Sequence, residues 1–253
     1  MRIRKIGIFG WAFAVLMGLA AADPAAASCT NASLTGIYGV LSSGTNTSGT
    51  LAAGVYQFDS DGSGGLTGTG TQSTNGTIQS LTLNGTYSIS SNCTGTITLQ
   101  DQSNDVVHFN IMLDNTNAGF ELIRTDSGYT ASGEAYALDT TVCGFSGKPA
   151  IYAKHLDGHV VGTSKIPVSI VGRLTSDGSG NVSAIDTFSE NGVISTRKPT
   201  GSYTTNQNCT GTAQISYKGT TYNFASVIVS AGKKLLLLET DAGTVISGKA
   251  IAE

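Results

Sequence analysis

The sequence predicts an all-β protein made of two tandem antiparallel β-barrels, each a meander of about eight strands, and three observations predict it. The chain matches itself at a period near 115 residues. Apolar residues recur at every second position in short runs, as a strand with one buried face requires. Charged residues make up only 12% of the chain, against a globular norm of about 25%. Thr, Ser, Asn and Gly carry the surface instead, and after residue 27 no window sustains a helical period.

The first 27 residues read as a signal peptide. Arg2, Arg4 and Lys5 form a basic start, Ile6 to Ala22 an apolar stretch, and Pro24-Ala25-Ala26-Ala27 a small-residue cleavage site. Gly10 and Gly18 interrupt the apolar run and no basic stop-transfer flank follows it, which favours cleavage after Ala27 over an anchor. Ser28 before Cys29 has the look of a lipidation site, but Cys29 has a counterpart deep in the chain, Cys143, and is read as structural. Cleavage leaves 11 basic and 16 acidic residues, a net charge of −5. That excludes nucleic acid as a partner, since its binding needs clustered Lys and Arg. No later segment offers the ~18 consecutive apolar residues of a spanning helix, so no membrane span is expected after cleavage and the protein is expected to be secreted or periplasmic.

The repeat sets the domain count. Cys29 stands nine residues before Tyr38, and Cys143 nine before Tyr152, at offset 114. Ser60-Asp61-Gly62-Ser63-Gly64 recurs as Ser176-Asp177-Gly178-Ser179-Gly180, and Asn92-Cys93-Thr94-Gly95-Thr96 as Asn208-Cys209-Thr210-Gly211-Thr212, both at offset 116. Thr125-Asp126-Ser127-Gly128 returns as Thr240-Asp241-Ala242-Gly243 at offset 115. Such a period is far longer than that of a solenoid, so each copy closes its own core, residues 28–140 and 141–253. Four cysteines allow three pairings. Cys29 with Cys93 and Cys143 with Cys209 is the choice that repeats within each copy.

In the first copy, strands are expected near residues 35–43, 52–60, 65–72, 77–90, 94–100, 105–113, 119–125 and 129–138. Leu81, Leu83, Gly85, Tyr87 and Ile89 define one buried face; Val107, Phe109, Ile111 and Leu113 another. Asp61-Gly62, Asn75-Gly76 and Asp126-Ser127-Gly128 mark turns between runs. The short links favour an up-and-down barrel; β-sandwiches, which need longer crossings, are the alternative. Gly85, Gly95 and Gly133, with Gly201, Gly211 and Gly248, fit the bends of a small barrel.

A cysteine followed by Leu34-Thr35-Gly36-Ile37-Tyr38, the Asp61-Gly62-Ser63-Gly64 hairpin, Gly85-Thr86-Tyr87 and Asn92-Cys93-Thr94-Gly95-Thr96 resembles a family of uncharacterised bacterial secreted proteins built of such tandem units. The likeness covers nearly all of both copies, and it implies a fold and no activity. A fainter resemblance, in strand pattern only, is to calycin and allene-oxide-cyclase or dirigent-like barrels, which implies a hollow interior holding an apolar ligand. The second copy departs at Lys148-Pro149, where the first has Leu34-Thr35.

Candidate sites are few. Asp59, Asp61 and Ser63 alternate as at the start of a calcium loop, but the distal Glu is missing and Thr175 replaces Asp59 in the second copy. A tight turn explains the motif without an ion. His155, Asp157 and His159 form an incomplete metal set, read as a solvated hairpin tip. His108, with Asn110 two residues on and Asn223 at its repeat position, would orient a ligand if that face points inward and would be plain surface if it points outward. Tyr38 and Tyr152, matched between copies, complete the candidate ligand set. Asp126 and Asp241 are read as turn residues bonding their own backbone.

No nucleophile or acid accompanies His108, so no catalytic residue is assigned. The reading is a non-catalytic exported protein that binds a small or apolar ligand and needs no cofactor. The apolar character of both faces of Val106 to Leu113 motivates it. Two alternatives stand: a structural protein contacting a cell-surface component, with solid interiors, and an isomerase or cyclase working inside a barrel.

Overall fold

The computed structural model describes residues 28–114, 116, 118–143 and 148–253; the export segment expected at 1–27 lies outside them. Alternation produces the expected strands. The first copy forms β1 (Thr35–Asn46), β2 (Leu51–Asp61), β3 (Gly65–Thr74), β4 (Thr77–Ile89), β5 (Thr94–Asp101), β6 (Val106–Leu113), β7 (Gly119–Arg124) and β8 (Tyr129–Ala137). Each pairs antiparallel with its predecessor, and β8 returns to β1 to close a barrel. The Asn75-Gly76 turn between β3 and β4 has both residues at positive φ, 49° and 82°, as a tight two-residue hairpin demands.

The second copy forms β9 (Ala150–Val161), β10 (Lys165–Ser176), β11 (Asn181–Glu190), β12 (Val193–Arg197), β13 (Thr200–Thr205), β14 (Thr210–Tyr217), β15 (Thr220–Val229), β16 (Lys234–Glu239) and β17 (Thr244–Ala252). Strands β12 and β13 are two halves of the strand that is β4 in the first copy. They part at Lys198-Pro199, because proline has no N–H for the ladder. The proline carbonyl still accepts from the Ala184 amide at 2.9 Å. Pairing of β9 with β17 and of β10 with β11 closes this ring too. Both copies are therefore antiparallel barrels of eight strands, not sandwiches. Disulfides join Cys29 to Cys93 and Cys143 to Cys209, one per copy.

One end of the first barrel is stoppered by the segment before β1. A short 3-10 turn, Asn31–Ser33, lets the Asn31 side-chain oxygen accept from the Ile89 amide at 2.8 Å. The Leu34 carbonyl accepts from the Tyr87 hydroxyl at 2.8 Å, and the Leu34 side chain is buried beneath the strands.

A third apolar core lies between the barrels. Ala53 and Val55 on the outer face of β2 pack with Val227, Val229, Leu236, Leu238 and Val245 of β15 to β17. Gly39 permits this approach, since a Cβ there would sit 2.3 Å from a Val229 methyl. Polar groups rim the contact. Lys249 pairs with Glu134 at 2.7 Å, Lys234 lies 3.2 Å over the Tyr136 ring, and the Gly243 amide donates to the Gly76 carbonyl at 2.9 Å.

This third core corrects the sequence reading of two-sided apolar strands. In β6 the second face is simply exposed: Met112 is 59% accessible and Val106 45%. The strands that are apolar on both faces because both are covered are β15 and β16, where Leu235–Leu238 alternate between the barrel interior and the inter-barrel core.

Candidate functional site

The interior of the first barrel is hollow. A cavity of about 470 Å³ runs from its middle to the end formed by the β1–β2, β3–β4, β5–β6 and β7–β8 turns. Its walls are apolar, with Val40, Phe58, Leu81, Leu83, Ile97, Leu99, Val107, Phe109 and Leu122 among its lining. Polar groups concentrate in a strip made by Ser42, Tyr56, Gln72 and Thr74 and at the mouth by Asp101, Asp105, Arg124 and Tyr129.

Glycines make the space. The Tyr56 ring lies flat along the wall in a trough where Gly54 and Gly70 have no side chain; a Cβ on Gly70 would sit 2.4 Å from the ring. Tyr56 donates to the Gln72 side-chain oxygen at 2.8 Å, and Gln72 donates to Thr74 at 2.6 Å. Burial pushes the Tyr56 phenol up to about 12, against the opposing pull of the Ser42 hydroxyl and the Arg124 charge.

The second barrel has the same frame and a far more filled interior, where two small spaces of about 60 Å³ and 30 Å³ lie among the described residues. The strand pairings carry the repeat through the interior: Val40 faces Tyr56 and Lys154 faces Gly172, while Tyr56 faces Gly70 and Gly172 faces Asp186. Leu81 pairs with Gly70 as Arg197 does with Asp186. Val40, Gly70 and Leu81 are thus replaced by Lys154, Asp186 and Arg197. Lys154 Nζ lies 2.7 Å from one Asp186 oxygen, and Arg197 Nε 2.9 Å from the other. The Arg197 guanidinium also stacks 4.0 Å over Phe188, the residue that replaces Gln72. Leu156 stands in place of Ser42.

Burial opposes ionisation of Asp186, yet Arg197 and Lys154 outweigh it and hold the carboxyl below its usual range. Glu239 occupies the inward position that is Arg124 in the first copy. Burial and the nearby Asp241 carboxylate raise it to about 7, with Arg197 and Thr244 opposing. None of these four residues stood out in the sequence. For Lys154, Asp186 and Arg197 the signal that could have found them is a charge at an inward position of the alternation where the other copy has Val, Gly or Leu; for Glu239 it is a reversal of charge against Arg124.

The sequence-derived candidates fall elsewhere. His108 and Asn110 lie on the outer face of β6, and the His108 side chain is 53% exposed. Asn110 borders an open groove of about 560 Å³ on the outside of the first barrel, with Met112, Glu121 and Ile123. Asn223, the His108 equivalent, is tied to Asp241 through its amide nitrogen at 2.5 Å. Tyr38 is buried against Phe120, and Tyr152 donates to the Gly232 carbonyl at 2.8 Å. Neither tyrosine lines the cavity.

The His155, Asp157 and His159 stretch is not a hairpin tip but mid-strand in β9, because that strand runs on to Val161. His155 and Asp157 meet at 2.8 Å. Among the described residues no group of three or more His, Cys, Asp or Glu could hold a metal ion. The Asp61 carboxylate is spent on the amides of Ser63, Gly64 and Gly65 at 2.7–2.9 Å, and that of Asp177 on the amides of Ser179 and Asn181 at 2.7 and 3.0 Å.

Asp126 and Asp241 do more than turn the chain. Each carboxylate reaches across to the neighbouring strand and accepts the amide of His108 or Asn223, at 3.1 and 2.8 Å. Asp126 also holds the His108 ring and Arg124 Nε, both at 2.7 Å. Burial works against its charge, but these bonds win and keep it down at about 2.

No family model and no curated protein matches the chain. Among solved structures it is similar to one titled "The Structure of Intact Ap-TbpB (N and C lobes)", at 7% identity and a TM-score of 0.33, over 85% of this chain and 76% of that one. At that score the similarity carries no functional argument.

Proposed function

We propose that this chain is a non-catalytic binding protein whose first barrel takes up one small, largely apolar ligand and whose second barrel is a scaffold packed beside it. The carrying observation is the difference in interior: about 470 Å³ against about 60 Å³ on the same frame. That volume falls in the ~300–1,000 Å³ range of small-molecule sites, and an apolar wall with a few convergent polar groups is their usual chemistry. The outer groove is larger but open to solvent, and it would bury less of a ligand. Two disulfides support export to an oxidising compartment. Among the described residues no helix is long and apolar enough to cross a membrane.

The test imports the second barrel's filling into the first. Ser42→Leu with Gln72→Phe places there the residues found at positions 156 and 188. Wild-type protein at a hundredfold excess of a neutral apolar probe such as decan-1-ol over its Kd gains about 2.7 kcal/mol. Its thermal midpoint then rises by several degrees. The double variant, folded by circular dichroism, shows no rise; an equal rise in both proteins rejects the assignment.

A further inference from the structure

The end of β7 carries one feature that an apolar ligand alone does not explain. Arg124 lines the cavity at its mouth. Its Nε is committed to Asp126 at 2.7 Å, and its guanidinium lies 3.5 Å from the Tyr129 ring centroid. A carboxylate on one edge and an aromatic ring on one face fix the plane of the group. Its two terminal nitrogens donate no hydrogen bond among the described residues, and they are not sealed from solvent either. They present a pre-oriented fork, the geometry that matches a carboxylate bidentately. Hydroxyls of Ser42 and Tyr56 line the same space.

The other charges at the mouth are Asp101 and Asp105. Asp101 already accepts the amides of Ser103 and Asp105, at 2.7 and 3.0 Å. Asp105 is exposed, where solvent and salt screen its repulsion. The filled barrel has Glu239 at the Arg124 position, so the shared frame does not require a cation there.

Resting on the binding reading above, we propose that the ligand is an anionic amphiphile. Its apolar body lies among Phe58, Leu83, Ile97 and Leu99, and its anionic head sits on the terminal nitrogens of Arg124.

The experiment is calorimetric titration of the wild-type protein, at a pH where a carboxylic acid is ionised, with three ligands of one chain length: decanoate, decan-1-ol and decyltrimethylammonium. Decanoate is expected to bind about tenfold tighter than the alcohol, the scale of one charge-assisted hydrogen bond, and the ammonium weakest. Arg124→Gln should abolish the preference, so that decanoate binds the variant no tighter than the alcohol binds the same variant. Alcohol or ammonium binding as tightly as decanoate overturns the anionic head and leaves the cavity reading standing. Absence of binding by all three defeats both. A decanoate preference that survives Arg124→Gln overturns the role of Arg124. The head-group comparison on the wild-type protein decides the ligand class even if the variant fails to fold.

Discussion

At position 186 an aspartate stands where the first copy has Gly70, and two buried cations depend on it. A buried ion cluster is weak evidence of stability in itself, but removing one partner strands the others in a low dielectric. Asp186→Ala is therefore expected to cost about 3–5 kcal/mol in urea denaturation. The triple change Lys154→Val, Asp186→Gly and Arg197→Leu, which restores the first copy's residues, should cost less than the single one, because no charge is left unpaired.

Glu239 gives the same interior a pH dependence. Its folded pKa of about 7 lies above its ordinary value of 4.5. Between those two values the folded state holds a proton that the unfolded state has released, so stability falls as pH rises through that window and levels off above it. The groups acting on it are Asp241, Arg197 and Thr244. Glu239→Gln should match the wild type near pH 4.5 and exceed it by roughly 2–3 kcal/mol at pH 8. Thermal melts of both proteins at the two pH values check this, and equal midpoints at pH 8 would reject it.

Among the elements, the segment before β1 and the disulfide act together as the stopper of the closed end. Asn31→Ala removes the acceptor of the Ile89 amide, a loss of about 1–2 kcal/mol. Hydrogen exchange should report faster opening at Ile89 without change at the mouth. A second element difference concerns the outer half of β4, which β5 does not reach. There the Gln102 side chain substitutes for a strand, accepting from the Thr82 amide at 2.8 Å and donating to the Ser80 carbonyl at 3.0 Å.

The strands and their order were legible because period-2 alternation and turn residues are local signals, and every link is short. The split of β4 into β12 and β13 is written in Pro199, which stands where the first copy has Leu83. The hollow interior was not visible in shared motifs, since Cys29, Asp61, Gly85 and Asn92 build the frame common to both copies. It lies in the unshared inward positions, Ser42 against Leu156, Gly70 against Asp186 and Leu81 against Arg197. His108 attracted notice as a chemically capable residue, yet its strand parity puts it outside whenever Val107 and Phe109 are inside.

At the scale of the molecule, the inter-barrel core makes the two copies one packed unit. Leu236 and Leu238 are fully buried there, although each barrel closes without them. Burying a carboxylate in that core is strongly unfavourable, so Leu236→Asp should separate the barrels and leave each folded. Calorimetry should then resolve two thermal transitions where the wild type shows one; a single transition in the variant would contradict this. Two-sided apolar character was expected at Val106 to Leu113, whereas the run covered on both faces is Leu235 to Leu238.

With one barrel hollow and the other filled, each chain should hold one ligand, and the stoichiometry of binding measures that directly. Calorimetric titration of the full chain with decanoate should give one site per chain, abolished by Ser42→Leu with Gln72→Phe. Two equivalent sites per chain, or a single site that survives the double substitution, would contradict it.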